Sequence, residues 1–143
     1  MVNQVETHPF NQQTDAKKWM EKYGVQIEAW APFGEGRKDM FSNPVLNEIA
    51  AKHKKSAAQV ILRWHLQRNV VVIPKSVHIE RMKENLDVVD FCLSDEDMAK
   101  ISDLDTKTSA FFSHYDPAMV EWFAKMVEER KHKHDSSKER KNW

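Results

Sequence analysis

Four consecutive apolar residues, Val70, Val71, Val72 and Ile73, run directly into Pro74, and this run constrains the chain more than any other. Unbroken β-branched side chains suit a strand covered on both faces, whereas a half-exposed strand alternates apolar and polar positions. Pro74 donates no backbone hydrogen bond and ends the strand. Lys75 and Ser76 follow at once, and then a helical pattern with Ile79, Met82 and Leu86 on one face and Arg81, Lys83, Glu84 and Asn85 largely on the other. A cation, a hydroxyl and a helix start therefore converge at one strand end. Free N–H groups and the positive helix end favour an anion, and Lys and Arg add full charges. Spacing alone leaves two readings, a phosphate site or a solvated strand end that carries a lysine.

The segments before this run alternate in type. Val2 to Glu6 predicts a strand, stopped by Pro9 in Thr7-His8-Pro9-Phe10. Thr14 and Asp15 predict a helix cap, with Ala16, Trp19, Met20 and Tyr23 on an apolar face and Gly24 where a left-handed ending is wanted. Val25 to Trp30 alternates as a second strand and is cut off by Pro32 and Gly34. Ser42-Asn43-Pro44 is a helix entry with Val45, Leu46, Ile49 and Ala50 inward. Ser56-Ala57-Ala58-Gln59 is a capping box opening a helix through Val60, Ile61, Trp64 and His65, and Ser94-Asp95-Glu96-Asp97 is a second box-like start. Pro117 to Arg130 predicts a last helix with Met119, Val120, Phe123 and Val127 inward, and the composition after Glu128 predicts a charged, disordered tail. In that tail, His132-Lys133-His134 offers two imidazoles, but the intervening lysine repels a cation and a third ligand is wanting, so no metal site is assigned.

Strand, helix, strand repeated along a chain of 143 residues implies parallel pairing. Glu6, Trp30 and Lys75 then each stand at the C-terminal end of a strand, the face where both (β/α) barrels and doubly wound sheets place ligands. Spacing does not separate the two architectures, but no Gly-x-Gly-x-x-Gly loop follows any strand, which favours a barrel piece. Lys plus Arg and Asp plus Glu are both 22, a balance that leaves no global electrostatic footprint for nucleic acid or a membrane surface. The single cysteine, Cys92, excludes an internal disulfide framework, and no apolar run approaches the roughly 18 residues that span a bilayer. With no signal-like segment after Met1, the expected location is cytoplasmic.

Ile73-Pro74-Lys75-Ser76, followed after four residues by Arg81-Met82-Lys83-Glu84-Asn85, closely resembles the NADP-binding signature of the aldo-keto reductases. The resemblance implies that Lys75 and Ser76 contact the phosphate on the adenosine ribose. Arg81 would pack on the adenine and pair with that phosphate, while Glu84 and Asn85 would read the adenine edge. Asn3-Gln4-Val5-Glu6 with Thr7-His8-Pro9 is similar to the family's sixth barrel strand, which implies that Gln4 holds the nicotinamide carboxamide. Ala29-Trp30-Ala31-Pro32-Phe33-Gly34 is similar to the seventh strand and its loop. There Trp30 would stack on the nicotinamide ring, with Ala31, Phe33 and Gly34 lining the cofactor; Ala31 stands where the family often has Ser. Phe111 to Pro117 is similar to a C-terminal loop that closes over substrate, and the resemblance extends over about residues 1 to 123.

The expected fold is thus α/β, an incomplete (β/α)8 TIM barrel: its three C-terminal strands with their helices plus a C-terminal helix, the partial barrel covering residues 1–127, then a charged, disordered tail over 128–143. The resemblance places the family's catalytic Asp, Tyr, Lys and His before the sixth strand, so no catalytic residue is assigned here. Tyr23 and Tyr115 do not match the catalytic motif. The expected function is the NADP-binding, C-terminal part of an NADPH-dependent aldehyde or ketone reductase, inactive alone. The alternatives are a non-catalytic NADP-binding or regulatory module that docks on a chain carrying the missing N-terminal half, and a structural or interaction protein in which the motifs are relics. Two unpaired sheet edges also predict marginal stability or self-association.

Overall fold

The computed structural model describes the backbone of residues 1–113 and 115–139 and, within them, every side chain except Lys38 and 131–139. Met1–Ala110 and Phe111–Trp143 form two compact units. The first contains β1 (Val2–Glu6), α1 (Thr14–Lys22), β2 (Gln26–Trp30), a 3-10 segment (Gly34–Ser42), α2 (Pro44–His53), α3 (Ala57–Gln67), β3 (Val71–Val72), α4 (Ile79–Leu86) and α5 (Asp95–Ser102). The strands pair in parallel in the order β1-β2-β3, with Gln4 opposite Glu28, Glu6 opposite Trp30 and Ala29 opposite Val72. This is the partial α/β sheet expected from the alternation of segments, open and not a closed barrel.

Side-chain alternation along the strands decides which face is covered. Ile27, Ala29 and Val70 are buried with Met20 of α1, and Val5 and Val72 pack against that cluster. A second, larger cluster joins Leu46, Ile49, Val60, Ile61, Trp64 and Ile101 among α2, α3 and α5. Both cores lie on the helical side of the sheet. The opposite face carries Gln4, Glu28, Val71 and Ile73, and Val71 and Ile73 are 42% and 49% exposed. The expectation that Val70 to Ile73 is covered on both faces therefore fails: a barrel strand is buried inwardly only when other strands close over it, and three do not.

Local signals with short range held best. Asn43 accepts hydrogen bonds from the N–H groups of Val45 and Leu46, with Pro44 in the first helical position. The boxes at Ser56 and Ser94 are both formed in full. The start of α1 differs from expectation, because its cap is Gln13 in the left-handed region and Thr14 is already helical. Gln13 reaches back to donate to the Glu6 carbonyl at 3.0 Å, a link to the strand end that holds it there. Trp19 and Tyr23 stand out to solvent, stacked on one another at 6.2 Å, and only Met20 of that face is buried.

In the second unit, α6 (Ala118–Glu139) begins after Asp116, whose carboxylate accepts from the Ala118 N–H at 3.0 Å. Phe123 meets Phe112 edge to face at 5.0 Å, but Val120 and Val127 are exposed, contrary to the inward face expected. Within its own unit α6 has only the short stretch around Phe112 to pack against, so most of its apolar side stays uncovered. The helix passes Arg130, where composition predicted its end, because residues 128–139 contain no Gly or Pro and several strong helix formers. Residues 140–143 and the side chains of His132, Lys133 and His134 lie outside the described residues. No helix among the described residues is long and apolar enough to cross a membrane.

Candidate functional site

The expected site residues fall into two groups at the C-terminal side of the sheet. On the uncovered face, the Gln4 amide donates to the Glu28 carboxylate of the neighbouring strand. Trp30 ends β2 and is half-buried. The chain then turns through Ala31 and Gly34, both with positive φ, and the Gly34 N–H closes the turn on the Ala31 carbonyl at 2.8 Å. Phe33 packs on Phe41 at 5.5 Å. A side chain at Gly34 would need the left-handed backbone at φ +57° and would meet the Met40 methyl at 3.0 Å.

The second group surrounds α4. Ser76 Oγ accepts from the His78 N–H at 3.1 Å and lies 3.2 Å from the His78 carbonyl, so it shapes the turn into the helix. His78 occupies the cap position without a side-chain hydrogen bond to the first turn. The leading N–H groups of α4 thus have no side-chain acceptor, which is the arrangement that receives an anion. Lys75 and Arg81 are exposed and make no ion pair among the described residues. Glu84 and Asn85 are half-buried at the other end of the helix, and the Glu84 carboxylate accepts from the Ser56 hydroxyl. The structure therefore brings Lys75, Ser76, Arg81, Glu84 and Asn85 onto one short helix and its entry. Gln4, Trp30, Ala31, Phe33 and Gly34 lie on the adjacent strands and the loop after β2.

A buried cluster stands at the C-terminal end of β1, which the sequence had marked only as a strand end. The Glu6 carboxylate accepts from His8 Nε2 at 2.9 Å and from the Ala110 N–H at 2.7 Å, and also from the Ser109 hydroxyl. His8 Nδ1 accepts from the Phe10 N–H at 3.3 Å, which leaves the proton on Nε2, facing Glu6. Burial alone would raise the Glu6 pKa, yet the hydrogen bonds from Ser109, Ala110 and His8 outweigh it and hold the group below the usual range. This cluster anchors the segment around residue 109 to the C-terminal end of β1. The alternation Glu6, Thr7, His8 was its only sequence signal.

Two further features lie away from the expected residues. His65 is wholly buried; burial first, and the Arg68 charge second, push its pKa down to about 3, so it is neutral. A groove of about 430 Å³ is lined by Gln12, Lys17, Glu21, Trp64, Arg68 and Met98 and contains none of the expected residues. Arg68 lies over the Trp64 ring at 4.2 Å and donates to the Gln12 carbonyl at 2.6 Å, a structural contact between α3 and the loop after β1.

Comparison with known proteins adds the context of a longer fold. The sequence profile of the Aldo/keto reductase family matches residues 1–106, short of the stretch to 123 that the motifs suggested. The chain is 52% identical to the glyoxal reductase of Bacillus subtilis over 104 residues, covering 73% of this chain and 37% of that one. It is 47% identical to the morphine 6-dehydrogenase of Pseudomonas putida, with 73% and 39% covered. Among solved structures, an aldo-keto reductase from a Medee basin deep-sea metagenome library superposes with a TM-score of 0.76 at 42% identity, covering 82% of this chain and 43% of that one. A mutant of Gox0644 in complex with NADPH gives 0.75 at 42% identity, with 79% and 41% covered. The chain therefore spans well under half the length of each of these relatives.

Proposed function

The chain belongs to the aldo/keto reductase family, and on that premise we propose that residues 1–127 are the NADP(H)-binding, C-terminal portion of its barrel, from about the sixth strand onward, with 128–143 a charged extension. The observation that carries the reading is the start of α4: a helix with no side-chain cap, with Lys75 before it and Arg81 in its first turn, neither in an ion pair among the described residues, just beyond the C-terminal end of the parallel strand β3. A dianionic phosphate monoester supplies the acceptors this arrangement lacks. Lys75, Ser76 and Arg81 hold the phosphate on the adenosine ribose, and Glu84 and Asn85 take the adenine edge. Trp30 offers a flat half-buried ring for the nicotinamide, Gln4 its amide for the carboxamide, and Ala31, Phe33 and Gly34 the close backbone approach for the pyrophosphate.

When bound, NADPH supplies the hydride for reduction of an aldehyde or ketone. This chain's residues orient the cofactor; no residue here is assigned as the proton donor that a developing alkoxide requires. Reduction then needs further strands that carry a proton donor and cover the face of Gln4, Glu28, Val71 and Ile73, whether these belong to the same polypeptide or to a partner chain; a second copy could cover the face but adds no such donor. Single-cysteine composition suits a reducing, cytoplasmic setting.

Calorimetric titration of NADPH into the protein and into Lys75→Ala and Arg81→Ala tests the assignment. Each variant is expected to weaken NADPH by roughly tenfold or more, the scale of one charge-assisted hydrogen bond. Unchanged affinity in both variants would remove α4 and its entry from the site.

A further inference from the structure

Helix α4 is held in an unusual way for an element that the preceding reading places against a cofactor: none of its residues is buried, and Ile79 and Leu86 are exposed. Apolar packing therefore does not fix it. Its attachments are polar, and they converge on the first turn of α3. Ser56 Oγ accepts from the Gln59 N–H at 3.2 Å as the α3 cap and at the same time donates to Glu84 Oε1. The buried Gln59 amide accepts from the Ser56 N–H through Oε1, and through Nε2 donates to the carbonyls of Glu84 at 3.2 Å and Asp87 at 2.8 Å. Those carbonyls stand at the C-terminal end of α4 and at its cap residue, where a helix lacks N–H donors of its own. Lys55 Nζ adds ion pairs to Asp87 at 2.9 Å and Asp90 at 2.8 Å.

We propose that Ser56, with Gln59 behind it, is a positioning residue for cofactor recognition: the capping box of α3 doubles as the mount of α4 and aims the Glu84 carboxylate. The inference rests on the assignment of α4 to the adenosine end of NADP(H). Ser56 occupies one Glu84 oxygen, and among the described residues nothing donates to Oε2, which leaves that oxygen to accept from an exocyclic amino group. A hydroxyl suits this double task because it donates and accepts at once. A carboxylate in its place accepts from Gln59 equally well but only repels Glu84.

That difference gives the test. Ser56→Asp keeps the helix cap, since Asp caps as well as Ser, and removes the tether. Ser56→Thr keeps both. Binding of NADPH and of adenosine 2′,5′-bisphosphate is measured by calorimetry for the wild type and both variants, with amide hydrogen exchange over residues 79–86. Ser56→Asp is expected to weaken both ligands by a similar factor, roughly tenfold, and to speed exchange in α4 while α3 stays protected. Ser56→Thr is expected to restore both readouts. Wild-type binding with an unchanged Ser56→Asp variant overturns the tether and leaves the cofactor reading intact, whereas absence of wild-type binding overturns both.

Discussion

Single residues at this site obey two kinds of constraint, and only one is visible in sequence. Lys75, Ser76 and Arg81 can be singled out from sequence because they fall within one short run and their residue types suit an anion. Glu84 reads from sequence as a free carboxylate, yet its nearest partner, Ser56, lies on a different helix, and a hydroxyl that caps one helix gives no sign of a second bond. His65 is legible as an inward residue but not as a titration device. Its ordinary value of 6.5 is pushed down to about 3, chiefly by burial. Between those values the unfolded chain takes up a proton that the folded chain refuses, so stability falls as pH falls, by ~1.4 kcal/mol per unit. Asp97 acts in the same direction at lower pH. Burial opposes its ionisation, but Lys52, His53 and Ser94 hold its pKa well below the usual carboxylate value, so its stabilisation is present above about 3.8 and lost on acidification. Urea denaturation is therefore expected to show a falling midpoint from pH 7 to pH 4. A flat profile over that range would contradict a neutral, buried His65.

At the scale of elements, most caps were readable and so were the inward faces of α2 and α3, whose Leu46, Ile49, Val60, Ile61 and Trp64 are buried as expected, but the faces of β3 and α6 were not. The boxes at Ser56 and Ser94 and the Asn43-Pro44 entry are set by neighbours within four residues, so the sequence contains their whole cause. The exposure of Val71, Ile73, Val120 and Val127 depends on what packs against the element, which no local pattern records. Gln13 is an intermediate case, a left-handed cap held by a bond to β1 rather than by its own chemistry. The turn after β2 makes a further testable point. Gly34 adopts φ +57°, and an added Cβ meets the Met40 methyl at 3.0 Å, but that methyl is the end of a flexible side chain. The backbone conformation rather than the clash should dominate, so Gly34→Ala is expected to cost about 1–2 kcal/mol in denaturant unfolding. A change near zero would show that the loop relaxes out of the left-handed region.

Over the whole molecule, three parallel strands are covered by helices on one side and left bare on the other, with both sheet edges unpaired among the described residues. An incomplete barrel was expected from the family resemblance, but the bare side of Val71 and Ile73 was not, since their unbroken apolar run predicted cover on both faces; the chain spans roughly two fifths of its solved relatives. The proposed cofactor assignment can be tested by binding alone. The direct measurement is titration of the wild-type protein with NADPH and with NADH, followed by quenching of its five tryptophans, Trp30 among them. Saturable binding that favours NADPH by at least about tenfold, the increment of one phosphate contact, is the result this account predicts. Equal affinity for the two, or no saturable quenching by either, would contradict it.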